Sequence, residues 1–428
     1  MRAALCIVVA LGCGPKRASD KAQPDNTLPG FGPALESEPD GEDDGGRVEP
    51  GPRLTALAKA RRGALVALPA PPDTSHPVVC DLLGFKGGLY ASHAVRVISD
   101  PGARIHRYDI ERKSWSLAFD FDRPGSPGTW ADGGGEGITR LRDVGGVIMA
   151  ADADAPGPGG YGYVKDAQYE DYLFVSDSAG RFPPLEPGEL PPKNSVVLPL
   201  AFHAFDVIRY GGALIATGGT GRLPRGPYPG ALYVGELHDR ALIPRYTLGR
   251  NVGVVRTTYM HRFKGRLYVG FQNNSRKARF DLAIATGDLR SRDTPEPVVA
   301  KVTEDGGWLT RRFETGLGAL WWVAAGYEND GRGSALFRSE DGQRFERVPL
   351  PETVGEPQDV LVVGSQIYLL ASGGVFRAGA KATFEKFADA PAGDPFGHWD
   401  TFCSAPLVGF GDRIYAGSLR DGRVYALE

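Results

Sequence analysis

The chain has 428 residues, of which 42% are hydrophobic and 10% aromatic, so it can build a large core. Its 59 glycines and 34 prolines lie above the average of globular proteins but below low-complexity chains. The formal net charge of −3 excludes a generally basic nucleic-acid binder. No segment after the N-terminus approaches the roughly 18 continuous apolar residues of a membrane-spanning helix.

The first residues have the pattern of an export signal. Arg2 supplies a positive charge, residues 3–11 form a short apolar run, and Gly12 stands directly before Cys13. This pattern resembles the signal of bacterial lipoproteins, although Ala10 occupies a position where that family prefers leucine. The resemblance implies that residues 1–12 are removed, that Cys13 carries diacylglycerol, and that the protein resides at the outer membrane of a bacterial cell envelope. Ordinary secretion and a buried N-terminal strand are the alternatives.

Residues 19–50 contain nine acidic residues against Lys21 and Arg47, with many prolines and glycines. Such a stretch cannot bury enough apolar surface to offset the entropy of ordering it. We therefore predict a disordered tether over residues 13–60 and a folded domain over residues 61–428. An acidic tail that binds a partner is the alternative interpretation of the tether.

An apolar residue, a tight turn with glycine and a second apolar strand recur seven times along the chain. Counted from one aliphatic anchor to the next, the intervals are 59, 66, 53, 53, 47 and 47 residues. The anchors are Leu89, Ile148, Leu214, Leu267, Leu320, Ile367 and Ile414. Each anchor is followed by a second hairpin, so the sequence predicts an all-β fold, a seven-bladed β-propeller of four-stranded blades.

One of the second hairpins has the motif Ser339, Asp341, Gly342 and Phe345. It resembles the Asp-box turn of sialidase-like propellers, in which the Asp and Ser brace a hairpin. Residues 172–182 resemble a degraded copy, with Ser178 at the position of the Asp. The remaining hairpins resemble kelch repeats. An Asp box is a structural turn, so we assign it no chemistry.

The last repeat ends after its third strand, and an open strand edge is an aggregation liability. Gly63–Pro69 resembles the fourth strands of other repeats, and we predict that it completes the seventh blade. The competing prediction is a helix from Thr55 to Arg62 that extends through the same segment. Cys80 and Cys403 precede the anchors of repeats one and seven, which are neighbours in a closed ring, so a disulfide is expected between them, with two buried thiols as the alternative.

Strand directions place two classes of connection on opposite faces of a propeller. Connections from the second to the third strand, and from one blade to the next, share one face. We assign seven long segments to that face, which is predicted to be functional because binding loops are held on rigid scaffolds. They are residues 122–135, 152–170, 186–202, 218–230, 272–279, 326–332 and 390–400.

The predicted ligand-binding residues on this long-loop face combine aromatic rings with hydrogen-bonding groups, a mixture that suits a sugar or a polar peptide. They are Glu136, Tyr163, His203, Asp206, Arg256, Trp308, Trp399 and Asp400. A histidine capped within an inner strand is the plain alternative for His203.

Two functional hypotheses follow. The first is a non-catalytic, lipid-anchored monomer that binds a glycan or protein, with the membrane contacted through the anchor only and no nucleic acid as partner. The second is a carbohydrate-active hydrolase or lyase in which Glu136 acts with His203, Asp206 or another facing acid. No cofactor is predicted. Asp152 and Asp154 could offer oxygens to calcium, but they lack the regular spacing of a calcium loop.

Overall fold

The computed structural model describes residues 51–72, 77–94, 103–121, 137–153, 170–184, 193–220, 230–248, 254–273, 280–326, 331–397 and 403–428. Before the first blade come a helix, α1 (Pro52–Lys59), and a short strand, β1 (Leu65–Ala67). Twenty-seven further strands then form antiparallel units of four, with β1 completing the last unit. The chain is therefore an all-β, seven-bladed propeller.

The first three blades follow the chain in order. Blade 1 contains β2 (Val78–Phe85), β3 (Gly88–Ala94), β4 (Arg104–Asp109) and β5 (Ser114–Asp120). Blade 2 contains β6 (Gly137–Val144), β7 (Val147–Ala153), β8 (Glu170–Val175) and β9 (Ser195–Pro199). Blade 3 contains β10 (Ala201–Tyr210), β11 (Ala213–Thr220), β12 (Gly230–Gly235) and β13 (Ile243–Leu248). A single residue pair, Ala94 with Gly137, links blades 1 and 2 into one hydrogen-bonded sheet.

The remaining blades repeat this arrangement. Blade 4 contains β14 (Val254–Phe263), β15 (Arg266–Asn273), β16 (Leu282–Thr286) and β17 (Val298–Ala300). Blade 5 contains β18 (Leu309–Gly316), β19 (Ala319–Ala325), β20 (Ser334–Ser339) and β21 (Glu346–Arg347). A 3-10 turn (Glu352–Val354) leads into blade 6, with β22 (Pro357–Val363), β23 (Gln366–Ala371), β24 (Gly374–Ala378) and β25 (Glu385–Asp389). Blade 7 contains β26 (Leu407–Phe410), β27 (Arg413–Gly417), β28 (Val424–Leu427) and β1.

The prediction that the segment Gly63–Pro69 completes the seventh blade is confirmed. Strand β1 pairs antiparallel with β28, with Leu65 opposite Leu427. On the inner side, Cys80 of β2 forms a disulfide with Cys403, and their Cα atoms are 4.8 Å apart. Strand β2 also packs against β26 and β27, so the contacts between inner strands run in a full circle. The first and last blades are thus joined by hydrogen bonds and by a covalent bond.

The competing prediction of a helix through residues 55–69 is wrong, because the helix ends at Lys59 and β1 starts at Leu65. The helix nevertheless belongs to the folded body. The Asp412 carboxylate accepts the backbone N–H groups of Arg53 and Leu54 at 2.6 and 2.8 Å. At the other end, the Arg377 guanidinium donates to the Leu57 carbonyl at 2.9 Å. Side chains of blades 6 and 7 therefore satisfy both ends of α1, which begins before the predicted domain boundary at residue 61.

Tight turns join the first two strands of the blades. In blade 4, Lys264 and Gly265 adopt φ values of 49° and 69°. Two consecutive residues with positive φ are the mark of a type I′ turn, whose twist matches that of the flanking strands. Glycine at the second position accepts this conformation without steric cost, which explains why glycine recurs in the repeat.

Seven apolar clusters of the described residues lie between neighbouring blades. Between blades 4 and 5, for example, Tyr268 packs with Trp322, Phe337 and Phe345. Each blade buries both faces against its neighbours, so its strands read as continuous apolar runs such as residues 319–325. The core is therefore distributed around the ring.

One assignment of a long segment is wrong. Residues 186–202 were expected to lead from one blade to the next, but they contain β9, the fourth strand of blade 2. In chain order, residues 185–192 therefore fall between the third and fourth strands, a class of connection that strand directions assign to the face opposite the long-loop face. The other six segments fall, in chain order, between the second and third strands of a blade or between successive blades, and part or all of each lies outside the described residues.

The turn after β20 is braced by its own polar side chains. Ser339 Oγ accepts the Gly342 N–H at 2.9 Å, and the Asp341 carboxylate accepts the N–H groups of Gln343 and Arg344 at 2.7 and 3.1 Å. In the related turn of blade 2, Asp177 rather than Ser178 supplies the carboxylate, which accepts the Ala179 N–H at 2.8 Å. The motif was thus misaligned by one residue there.

Candidate functional site

Each inner strand of blades 1–6 carries a β-bulge between its N-terminal end and its middle. In β18, for example, Thr310 pairs with Ala324 and Arg312 with Val323, so Arg311 is the extra residue. A bulge brings two successive side chains to similar positions on one strand. Two layers of side chains therefore line the centre of the ring at the level of the bulges.

We call the second of these layers the central ring. Its members stand eight residues before each repeat anchor. They are Asp81, Arg140, Asp206, Tyr259, Arg312, Asp359 and Pro406. Three carboxylates and two guanidiniums thus meet in the middle of the molecule.

Asp206 has no exposed surface, and all of its lone-pair positions are used. One carboxylate oxygen accepts from Arg142 Nε and from the Val207 N–H, both at 2.9 Å. The other accepts from Arg142 Nη2 and from the Met260 N–H, both at 2.8 Å. A carboxylate offers about four acceptor positions. This one is fully satisfied by a bidentate guanidinium and two amides.

Arg312 crosses the centre of the ring from blade 5. Its side chain is 1% exposed and donates to Asp81 at 3.0 Å. It also donates to the carbonyls of Cys80 and Ser404, and its Nε lies 3.8 Å from Asp359. One guanidinium therefore joins blades 1, 5, 6 and 7.

The ring is completed by Arg140 and Tyr259. Arg140 lies between two acids, 3.2 Å from Asp81 and 3.8 Å from Asp206. The Tyr259 ring faces both guanidiniums, with centroid distances of 5.7 Å to Arg140 and 5.1 Å to Arg312. Cation–π contacts of this kind strengthen when they are shielded from water. The central ring is therefore a compact cluster of paired charges. We call this cluster the ionic plug.

The three aspartates of the plug also bind the backbone of the next blade. Asp81 accepts the Leu141 N–H, and Asp359 accepts the Leu407 N–H, both at 2.8 Å. Asp206 does the same with Met260. In every case the donor stands seven residues before the anchor of its own repeat. These carboxylates therefore set the registry between neighbouring blades.

Burial opposes ionisation in this plug. Removal from water raises the pKa of Asp81 to about 6, although the Arg312 guanidinium lowers it. The same cause raises the pKa of Asp359 to about 7. On the side of the tight turns, burial raises the pKa of Glu314 well above its usual value and lowers the pKa of His261 to about 3.

We call the layer on the long-loop side of the plug the mouth layer. It consists of Thr258, Arg311 and Gln358, the residues that precede the central ring in blades 4, 5 and 6. Gln358 is fully buried, and its Oε1 lies 3.3 Å from Ser404 Oγ. Arg311 is half-buried and interacts electrostatically with Glu356, which is also half-buried.

The predicted site residues fall into two groups. Glu136, Tyr163, Trp399 and Asp400 lie outside the described residues, as do Cys13 and Asp154. His203 and Asp206 have no exposed surface, and Trp308 is 1% exposed. Arg256 is half-buried at the N-terminal end of β14. Binding of a ligand by these side chains stays a prediction.

Trp308 was predicted to bind ligand on the long-loop face at blade 5, and it is buried between neighbouring blades. Its ring packs edge-on against Phe337 at 5.0 Å. The guanidinium of Arg332 covers the ring at 4.5 Å and donates to the Gly306 and Gly307 carbonyls. Trp308 therefore anchors the connection between blades 4 and 5.

Among the described residues, no group of three or more His, Cys, Asp or Glu side chains is placed to hold a metal ion. Asp152, one of the two residues considered for calcium, is fully buried in β7. No helix in the described parts of the chain is long and apolar enough to cross a membrane.

Asp206 was predicted as a site residue, but most of the plug was not, including Asp81, Arg312 and Asp359. A signal was present, because these residues share a fixed distance of eight from their anchors. Aligning the seven repeats on their anchors would have shown a column of mostly charged residues within apolar strands. A charged residue within an apolar strand is expected to be buried and to form an ion pair or hydrogen bonds.

The chain is similar to solved propeller structures at low identity. The β-propeller domain of the Trilobed protease from Pyrococcus furiosus is 9% identical, with a TM-score of 0.43 over 83% of this chain and 94% of that one. The phage phi92 endosialidase is 10% identical, with a TM-score of 0.47 over 86% and 68%. A catalytically inactive virginiamycin B lyase from Staphylococcus aureus is 11% identical, with a TM-score of 0.46 over 85% and 99%. No family model and no curated protein matches the chain.

Proposed function

We propose that the chain is an exported, lipid-anchored propeller of the bacterial cell envelope that binds a glycan or protein through its long-loop face and does not transform it. The saturated carboxylate of Asp206 carries this proposal. A general acid or base must exchange a proton with the substrate and needs a free position within hydrogen-bond reach. Asp206 was a catalytic candidate, and its four acceptor positions are filled by Arg142 and two backbone amides.

The rest of the plug supports the same conclusion. Asp81 accepts three hydrogen bonds, from two guanidiniums and an amide. Asp359 accepts two amide N–H groups and lies beside Arg312. Structural ion pairs also perturb pKa values, so a raised pKa here does not require catalysis. The plug makes the ring a rigid scaffold for the loops at its rim.

A pair of loop replacements in blade 2 tests the binding face. Residues 155–168 and residues 186–191 belong to connections on opposite faces of the same blade. Each would be replaced by a short Gly-Ser linker and probed on arrays of glycans and of purified envelope proteins. We expect the first replacement to weaken binding at least tenfold and the second to leave it unchanged. No binding by the wild type on either array, or equal losses in both variants, would refute the proposal.

The anchor is tested separately by C13S. Radiolabelled palmitate should enter the wild type and not the variant, and the variant should leave the membrane fraction. Equal labelling and fractionation of both proteins would show that Cys13 is not the attachment site. This outcome would leave the binding face in place.

A further inference from the structure

Three polar groups in the mouth layer are buried without a partner. Gln358 Nε2, Thr258 Oγ1 and Arg311 Nε have no hydrogen-bond partner among the described residues. Gln358 is fully buried and Thr258 is 6% exposed. A buried polar group without a partner costs free energy, so natural structures rarely retain several together unless another molecule satisfies them.

The three groups are neighbours in the architecture. They occupy the same bulge position in the inner strands of three consecutive blades, one residue before Tyr259, Arg312 and Asp359. Each inner strand begins on the long-loop face, so the mouth layer lies on that side of the plug. Arg311 and Glu356 are only half-buried, which gives the layer an opening to solvent.

The charges of Arg311 and Glu356 favour a neutral ligand over an acidic one. Burial lowers the pKa of the Arg311 guanidinium, and the negative charge of Glu356 opposes this shift. A ligand carboxylate or sulfate would meet repulsion from Glu356. Hydroxyl groups of a neutral ligand can accept from all three groups without that repulsion, and hydroxyls can also donate to Glu356.

We propose that Thr258, Arg311 and Gln358 bind the hydroxyl groups of a neutral sugar that enters the centre of the ring from the long-loop face. This inference rests on the proposed function and narrows its partner to a glycan. The ionic plug forms the floor of the site.

The test uses the mature full chain and an array of neutral, uronic-acid and sulfated glycans, followed by calorimetric titration of the best neutral oligosaccharide. T258V removes the hydroxyl and keeps the shape of the side chain. We expect about tenfold weaker binding and an unchanged or higher Tm, since the hydroxyl has no partner to lose. Q358M removes the amide and provides a second measurement, with an expected loss of at least tenfold.

T139V is the matched control. Thr139 occupies the same bulge position in β6, but its hydroxyl has acceptors at 3.1–3.2 Å, the carbonyls of Ala151, Ala204 and Phe205. We expect T139V to lower the Tm and to leave the affinity for the sugar unchanged. A merely structural role for Thr258 would give the same pattern in T258V as in T139V.

Three outcomes would overturn the inference. They are binding to acidic glycans only, wild-type affinity in both T258V and Q358M, and no glycan binding by the wild type. In each case the proposed function is judged separately by the loop replacements, because binding to an envelope protein or an acidic glycan through the long-loop face would still support it.

Discussion

Arg312 is the residue on which the centre of the molecule depends. Its guanidinium is buried, and it contacts Asp81, Asp359 and the carbonyls of Cys80 and Ser404. Replacing a whole buried ion pair by apolar groups can be neutral, but removing one partner leaves an uncompensated charge. The cost of losing Arg312 should therefore exceed the value of any single contact.

R312M should lower the free energy of unfolding by about 3–5 kcal/mol, because Asp359 remains buried without a neighbouring cation and Asp81 keeps only Arg140. Urea titration followed by tryptophan fluorescence measures this as a lower midpoint at an unchanged slope. The control is R420M, which removes a more exposed ion pair with Asp394, 3.3 Å long. It should cost less than about 1 kcal/mol. Equal losses in both variants would contradict the role assigned to Arg312.

His261 should make stability depend on pH. Its Nε2 lies 2.6 Å from Thr315 Oγ1, and burial followed by the nearby Arg142 charge lowers its pKa from 6.5 to about 3. In the unfolded chain the imidazole binds a proton that the folded chain excludes. The stabilising contribution is therefore present above pH 6.5 and is lost as the pH falls towards about 3.

H261Q should remove this dependence. The difference in unfolding free energy between wild type and variant should change by up to about 1.4 kcal/mol per pH unit below neutrality. Urea titrations at several values between about pH 4 and pH 7 measure it, with the wild type losing more stability as the pH falls. Parallel profiles for the two proteins would show that His261 is accessible to protons in the folded state.

Single residues were the least predictable part of the site. Asp206 was recognised as a polar residue in an apolar strand, but its partners are 64 and 54 residues away in the sequence, Arg142 and the Met260 amide. The burial of Trp308 was not predicted, because it depends on Arg332 and Phe337, which are 24 and 29 residues away in the sequence. Such long-range pairing leaves no local pattern.

At the scale of elements, the strands and turns were predictable. The repeat Phe263-Lys264-Gly265-Arg266-Leu267 carries its own turn chemistry, since positive φ at Lys264 and Gly265 closes the hairpin locally. The errors occurred where local signals were weak. The fourth strand of blade 2 lies in the segment 186–202, where prolines dominate the sequence before it. Helix α1 is short and relies on Asp412 and Arg377 from other elements.

D412A should loosen α1 without unfolding the propeller. The variant loses the acceptor for two N–H groups at the start of the helix, an effect of about 1 kcal/mol for a capping residue. Hydrogen–deuterium exchange should accelerate over residues 52–59 and stay unchanged in β26–β28. D412N keeps one acceptor oxygen and should give an intermediate rate. Unchanged exchange in D412A would mean that apolar packing of Leu54 and Leu57 alone holds the helix.

At the scale of the whole molecule, two interactions join the first and last blades. They are the pairing of β1 with β28 and the disulfide between Cys80 and Cys403. The closure could be inferred from the sequence because a count of strands left the last blade one short. The ionic plug could not be inferred in the same way, because it depends on how seven strands converge on one axis.

The double variant C80A/C403A should be less stable by about 2–5 kcal/mol, since the disulfide closes a long loop in the unfolded chain. The two cysteines are separated by 323 residues. Thermal unfolding should show a lower Tm with native far-UV circular dichroism, because β1 and the plug still hold the ring. A Tm equal to that of the wild type under oxidising conditions would contradict a stabilising closure.

We propose that this propeller binds its partner without transforming it. The direct measurement is mass spectrometry of array glycans after prolonged incubation with the wild type and with E136Q, which removes the carboxylate of the principal catalytic candidate. We expect every bound glycan to be recovered with its original mass from incubations with either protein. Shortened or unsaturated products that appear with the wild type and vanish with E136Q would contradict it.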